Sequence, residues 1–390
     1  METLSNSNKD VKGQRGFCGG GLMQRAVEVL PAALFIVINL LFVVKYSARV
    51  SEGFAWCATL LAACFYCVLL WALPYIYRYR KFLWWAFAVA FVGMACLQYA
   101  FDPFTIQVDR WSALHFPIEN LLSGIYPYKA LTHLGQGASP FPVWQILHIP
   151  FYLLGNVGLS FFPALALFLW SCWKVQGEEK ALTVGLLLFS SIAIWYEMIV
   201  RSDLITNFLL LAAIINLVFP RLNQQWVEDK RWWFACAVGL LACTRILVLI
   251  PIGLLLLPYF VRMSPRRQVC VFLLTSLVFA LTFVPFALWD WQEFYYYRNN
   301  PWALQTKQGN LLDFIIFIPI AIYLAFNHKG NDKRYYRNSA LMLVVFIGVT
   351  FIHNMYLGNL WDLFSPHIDI TYFSTALPFC MLAIVGRDKA

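Results

Sequence analysis

Charge is scarce in this chain. Charged side chains make up 13 % of its 390 residues, against roughly 25 % in soluble domains. The sequence is 61 % hydrophobic, with a mean hydropathy of +0.65. That balance excludes a soluble core and implies an all-α polytopic membrane protein. No polar segment is long enough to fold alone, so 1–390 reads as one integral membrane domain. Walker A, strand-linked GxGxxG, HExxH and GxSxG patterns are all missing, leaving nucleotide-driven and Rossmann-based chemistry unsupported. Most of the ten cysteines sit inside apolar runs as small hydrophobes. Cys64 and Cys67 form a CxxC in mid-span without a second ligand pair. Repeats and low-complexity linkers are absent too. Met1–Gln24 is polar and no cleavage pattern closes the first apolar run, which reads as a retained helix.

The charges that are present are mostly basic, for a net charge of +9. With no soluble domain to display a basic face, nucleic acid is not an expected partner. The basic residues cluster instead in short loops, as the positive-inside rule places them. Apolar stretches at about 27–46, 54–77, 82–101, 158–173, 181–199, 203–219, 232–244, 246–261, 269–289, 310–326, 339–353 and 370–386 predict twelve spans. Lys9, Lys12, Arg15 and Arg25 precede the first, in a cytoplasmic tail over 1–26, and Arg78, Arg80 and Lys81 follow the second. Both termini are then cytoplasmic, in a cell (inner) membrane. The stretch 143–155 is short, polar and interrupted by Pro150, which predicts a re-entrant or interfacial helix. Counting it as a span would put several basic loops outside.

This topology places the longest polar interruption, Phe101–Pro142, on the extracytoplasmic side. Asp109 lies within it, close to the hydrocarbon boundary, where a carboxylate is costly unless paired or functional. It is the candidate general base, or else a loop acid paired with Arg110. Glu119 belongs to the same loop, as do Tyr126 and Tyr128 of GIYPY, whose rings also suit an interfacial belt. Arg201 and Asp203 form an RSD turn one helical turn after Glu197, and Arg245 sits in CTRIL. The fixed fork of an arginine suits phosphate, though a buried pair such as Arg201 with Glu197 is equally consistent. His353, His367 and Asp369 lie near the last outward loop. Two ligands do not make a metal site, so no metal or other cofactor is expected, and the histidines are candidates to bond a sugar or phosphate.

An acid just after an early helix, then LLSGIYPY (121–128), then SPFP (139–142) leading into an amphipathic helix that ends in Leu-Gly, resembles the GT-C glycosyltransferases. The likeness is greatest to glycosyltransferase family 87, which includes polyprenyl-phosphomannose-dependent mannosyltransferases. It covers roughly 100–220, with a weaker echo around Arg245. Three spans rather than one precede the loop, and SPFP stands in place of the family's Tyr-Pro-Pro. The resemblance implies a polyprenyl-phosphate sugar donor, a lipid or glycan acceptor reached from outside, surrounding membrane lipids and inversion at the anomeric carbon. It maps the family's loop carboxylate onto Asp109 and its donor-phosphate arginine onto Arg245 or Arg201. A transporter or flippase, and a ligase or polymerase of undecaprenyl-linked glycans, are the rival readings.

Overall fold

A computed structural model describes residues 19–295, 300–306, 311–357 and 369–386. Residues 1–30 and 31–390 form two compact units, and the contacts discussed below lie within the second. Regular structure among the described residues is helical, apart from an isolated bridge between Leu131 and Gly137. The chain is a multi-pass all-α membrane protein.

The first three helices are α1 (Gly19–Ser47), α2 (Glu52–Ala72) and α3 (Arg80–Ala100). The stretch read as a loop contains a helix of its own, α4 (Ser112–Leu122), before α5 (Pro142–Leu153). The reason for α4 is a short helical stripe: Trp111, Leu114 and Ile118 recur on one face and pack with Trp144 of α5. Next come α6 (Phe161–Gln176), α7 (Glu178–Ser190), α8 (Ile192–Ile199) and α9 (Asp203–Val218). The short α10 (Gln224–Asp229) leads to α11 (Arg231–Ala242), α12 (Leu249–Val261) and α13 (Pro265–Trp289). Two more short helices, α14 (Trp291–Tyr295) and α15 (Pro301–Thr306), precede α16 (Leu311–Asn327), α17 (Asp332–Leu357) and α18 (Leu377–Val385).

Every stretch read as a span holds an apolar helix or helix pair. Among the described residues, seven helices are long and apolar enough to cross a bilayer, or eight if a bent pair counts as one span. Arg231–Ala242, Ile246–Val261, Ile315–Asn327 and Thr371–Val385 are shorter. At 1.5 Å per residue, the 12 and 13 residues of α11 and α12 run about 18–20 Å. That falls short of the ~30 Å hydrocarbon core.

The bent pair is α7 and α8, which meet at 64°. A break inside a membrane is stable only if its freed backbone groups find partners, and here they do. The Tyr66 hydroxyl donates to Ser190 O and accepts from Ile192 N, both at 3.1 Å. Asn39 Oδ1 accepts from Ala193 N at 3.1 Å and from Ser191 Oγ at 2.7 Å. Ser191 Oγ in turn accepts from Ile194 N as the N-cap of α8. One residue each from α1 and α2 therefore holds the break that sets the direction of α8.

The core is built on α6 and α9, which pack against each other more extensively than any other helix pair. In the span over α9, 72 % of the residues are buried, against 6 % in α13. Even here polar groups are matched: Asn216 donates to Ser171 Oγ and accepts from the Tyr336 hydroxyl. The same α9 carries Asp203 at its first turn, so the most firmly packed helix presents the site's central carboxylate.

Candidate functional site

Asp203 is 1 % exposed and Arg245 2 %. Their burial requires pairing, since a lone charge at that depth is costly. Arg245 Nε donates to Asp203 Oδ2 at 3.0 Å, and its Nη2 pairs with the same oxygen. Trp144 Nε1 of α5 donates to that oxygen as well, at 3.0 Å. Arg245 Nη1 donates to Ser139 Oγ at 3.0 Å. These bonds use three of the five guanidinium N–H donors. Arg245 stands between the half-length helices α11 and α12, where the backbone would otherwise have no helical partner. Gln305 of α15 fills that gap: its Oε1 accepts from Ile246 N at 2.8 Å, and its Nε2 donates to Ser139 O at 2.6 Å. The SPFP segment, the α11–α12 junction, the head of α9 and α15 are thereby joined at one place.

A second pair lies beside the first. Arg110 bonds Asp369 and donates to Thr371 Oγ1 at 3.3 Å. Its guanidinium lies 4.8 Å from the centre of the Tyr372 ring, a cation–π distance. Crowding works against the charges of both partners. It is outweighed, so that Arg110 is held above the ordinary arginine value and Asp369 below the ordinary carboxylate range. For Arg110 the countering charges are Asp369, Tyr372, Asp203 and Asp109, in that order. Arg110 therefore lies within electrostatic reach of both the Asp203 pair and Asp109.

Asp109 is half-buried and precedes α4, whose Ala113 N bonds its carbonyl. Thr132 Oγ1 donates to its Oδ2 at 2.9 Å. Among the described residues the other carboxylate oxygen takes no hydrogen bond. The backbone beneath is approached by Ser112, whose Oγ lies 3.0 Å from Asp109 O and 2.7 Å from His133 Nδ1, its one hydrogen serving one of the two. His133 Nε2 lies 2.9 Å from Ile106 O, which makes that nitrogen the protonated one. The Thr132–His133 turn thus orients Asp109 and leaves one oxygen open.

A cavity of about 420 Å³ opens next to these pairs. Its polar wall residues are Arg245, Gln305, Thr306, Thr350 and Tyr372. The others are apolar, with Leu249 and Gly253 of α12, Phe317 and Ala321 of α16, and Phe346 of α17 among them. Tyr372 also stacks on Arg110, which connects the second arginine to the cavity wall.

The other candidate residues are placed differently. Arg201 does not pair with Glu197. It lies in the left-handed region, at φ 54°, because it closes α8 in a Schellman motif: Arg201 N bonds Met198 O and Ser202 N bonds Glu197 O. Its side chain donates to Gln98 O at 2.6 Å and Phe101 O at 3.3 Å, capping the end of α3. A Cβ on Gly158 would come within 2.8 Å of that side chain. Glu197 is fully buried, and among the described residues its carboxylate oxygens have no hydrogen-bond partner. Tyr128 is buried and donates to Pro140 O at 2.9 Å, pinning GIYPY to SPFP. Tyr126 packs edge-on against Tyr128 and Trp289. Glu119 is exposed on α4. His353 lies near the end of α17, half-buried, and His367 falls outside the described residues. Among the described residues no group of three His, Cys, Asp or Glu side chains could hold a metal.

Four contributors had little sequence signal. Asp369 stood out only for its spacing from His367, while Trp144 and Tyr372 were single aromatics and Gln305 one amide in the polar run QTKQGN. Asp369-Ile-Thr371 repeats the short acid-x-hydroxyl spacing of an Asx turn, with Thr371 N bonding Asp369 Oδ1 at 2.9 Å. That was the available clue. No protein-family model matches the chain, and neither does any curated protein or solved structure.

Proposed function

We propose that the protein is a membrane glycosyltransferase that moves a hexose, mannose-like in class, from a polyprenyl-phosphate donor to a lipid or glycan acceptor on the extracytoplasmic side. The observation that carries this reading is a largely apolar cavity with Arg245, paired to Asp203, and Tyr372, stacked on Arg110, in its wall, and with Asp109 within the field of Arg110. An amphiphile with one anionic head and an apolar tail fits that distribution. The N–H donors that Arg245 does not use on Asp203 and Ser139 meet the donor phosphate. Asp109, with one oxygen open, removes the acceptor hydroxyl proton. The acceptor oxygen attacks the anomeric carbon, the bond from that carbon to the phosphate oxygen breaks, and polyprenyl phosphate leaves as an anion stabilised by Arg245. Attack from the face opposite the leaving group inverts the anomeric carbon.

Topology is consistent with this reading. Seven long helices, the bent α7–α8 pair and four shorter apolar helices fall on the twelve stretches read from the sequence, and α5 is assigned as the non-spanning helix. The segments that meet at the site then share the outer face, and both termini are cytoplasmic. Metal and other cofactors have no role in the scheme. Asp109→Asn in proteoliposomes is the test. Transfer from a polyprenyl-phosphate hexose should fall by about 10²–10⁴, while thermal stability stays unchanged. Full activity in that variant overturns the mechanism. Uptake or flipping of substrate by the wild type without glycosyl product would instead favour the transporter reading, since transporters also place ionisable groups between broken helices.

A further inference from the structure

Beyond the cavity at Arg245 lies a second one, of about 240 Å³. It sits between α11, α12 and α13 and extends along α12 as far as Phe260 and Met263, with Arg231 at its border. Both cavities share three wall residues, Leu249, Gly253 and Leu257. These recur every four positions, so they form one stripe along α12. At the centre of the stripe Gly253 has no side chain, and an added Cβ there would meet no atom within 4 Å. A helical glycine costs about 1 kcal/mol relative to alanine, and no neighbouring atom makes that cost a packing necessity. What the glycine provides is a saddle between the two cavities. From Leu249 to Leu257 the stripe rises about 12 Å, somewhat under half of the ~30 Å hydrocarbon core.

We infer that Gly253 is the pass over which one long isoprenoid tail runs from the first cavity into the second, so that this residue sets how long a donor lipid the protein favours. The inference rests on the donor reading above. A single occupant is argued from continuity. The stripe is unbroken, the first cavity carries Arg245 in its wall, and the wall on either side of Gly253 is apolar. A short tail ends within the first cavity and never reaches the pass.

The test uses full-length protein in nanodiscs and two probes, geranyl phosphate and undecaprenyl phosphate, with binding read by native mass spectrometry. Wild type should bind both, undecaprenyl phosphate the more tightly. Gly253→Phe should weaken undecaprenyl phosphate by about tenfold or more, which the loss of two buried methylene groups already produces. The same variant should weaken geranyl phosphate far less, although Gly253 also lines the first cavity. Gly253→Ala, which fits the open space, should leave both unchanged, and Gly253→Leu should fall between. If wild type binds neither probe, the donor reading fails. If wild type binds both and Gly253→Phe weakens both equally or neither, the donor reading stands and the pass is overturned. Displacement of undecaprenyl phosphate by equimolar phosphatidylglycerol would show a groove filled by bulk lipid and also overturn it.

Discussion

The site contains two arginine–aspartate pairs, and they are built in opposite ways. Arg245 and Asp203 are 42 residues apart and almost fully buried, with side-chain exposures of 3 % and 0 %. Their contacts come from the first turn of the best-packed helix, from Trp144 and from Ser139. Arg110 and Asp369 are 259 residues apart, and the Asp369 side chain is 40 % exposed. One pair is part of the scaffold. The other draws the early loop onto the segment before α18 from the open side. A buried pair is hard to break because removing one partner strands the other, whereas an exposed partner can be replaced by water or by a ligand. Arg245 therefore suits a fixed anchor for a phosphate. Arg110 suits a residue whose partner can change when substrate arrives.

The sharpest way to break this contrast is to remove the two acids. Asp203→Ala leaves Arg245 charged and enclosed, at a cost of about 3–5 kcal/mol. Asp369→Ala leaves Arg110 with Tyr372, Thr371 and access to water, and should cost about 1 kcal/mol. Thermal unfolding in detergent measures both. Equal losses would show that the two pairs are not differently supported. Next in size is Arg245→Lys, which keeps the charge but loses the fork that reaches Asp203 and Ser139 together. Its cost should be about 1.5–3 kcal/mol, with a greater effect on donor binding than Lys at position 110. A double-mutant cycle between Arg245 and Asp203 should return a larger coupling than one between Arg110 and Asp369.

The difference between the pairs also explains what could be read in the chain beforehand. The apolar stretches were legible because hydropathy is local: each of them holds a helix or a bent helix pair. Asp109, Arg110, Asp203 and Arg245 stood out because charge near hydrocarbon is conspicuous. Their partners did not, because a pairing 42 or 259 residues away leaves no periodicity. The Arg201–Glu197 pair looked natural at helical spacing, but it depended on α8 continuing. Glycine normally marks the left-handed position that ends a helix. Here Arg201 occupies that position, so although the end of the 181–199 stretch was legible at the RSD turn, the course of the arginine's side chain to α3 was not. The bend at Ser191 was hidden for a similar reason. Its partners, Asn39 and Tyr66, belong to α1 and α2 and look like ordinary polar interruptions of apolar runs.

Acid separates the pairs by a smaller effect. Asp369 is held below its unfolded value of about 3.9. Its contribution to stability is therefore complete above that value and is lost as pH falls through the lower folded one. Below about pH 4, wild type should lose stability that Asp369→Asn has already lost, so the two melting curves should converge on acidification. If they remain parallel, the Arg110–Asp369 charge pair contributes nothing in solution.

Salt should give the smallest effect, and it addresses the difference in exposure most directly. Raising ionic strength from about 0.1 to 1 M shortens the screening length from roughly 10 to 3 Å. Screening by mobile ions acts where they can approach, which is the Asp369 side. The coupling energy between Arg110 and Asp369, measured by double-mutant cycle, should shrink by a few tenths of a kcal/mol, while that of Arg245 with Asp203 stays constant because ions cannot reach it. A salt-sensitive Arg245–Asp203 coupling would mean that water and ions enter the cavity mouth. Arg245 would then be the exchangeable partner, and the roles assigned to the two arginines would reverse.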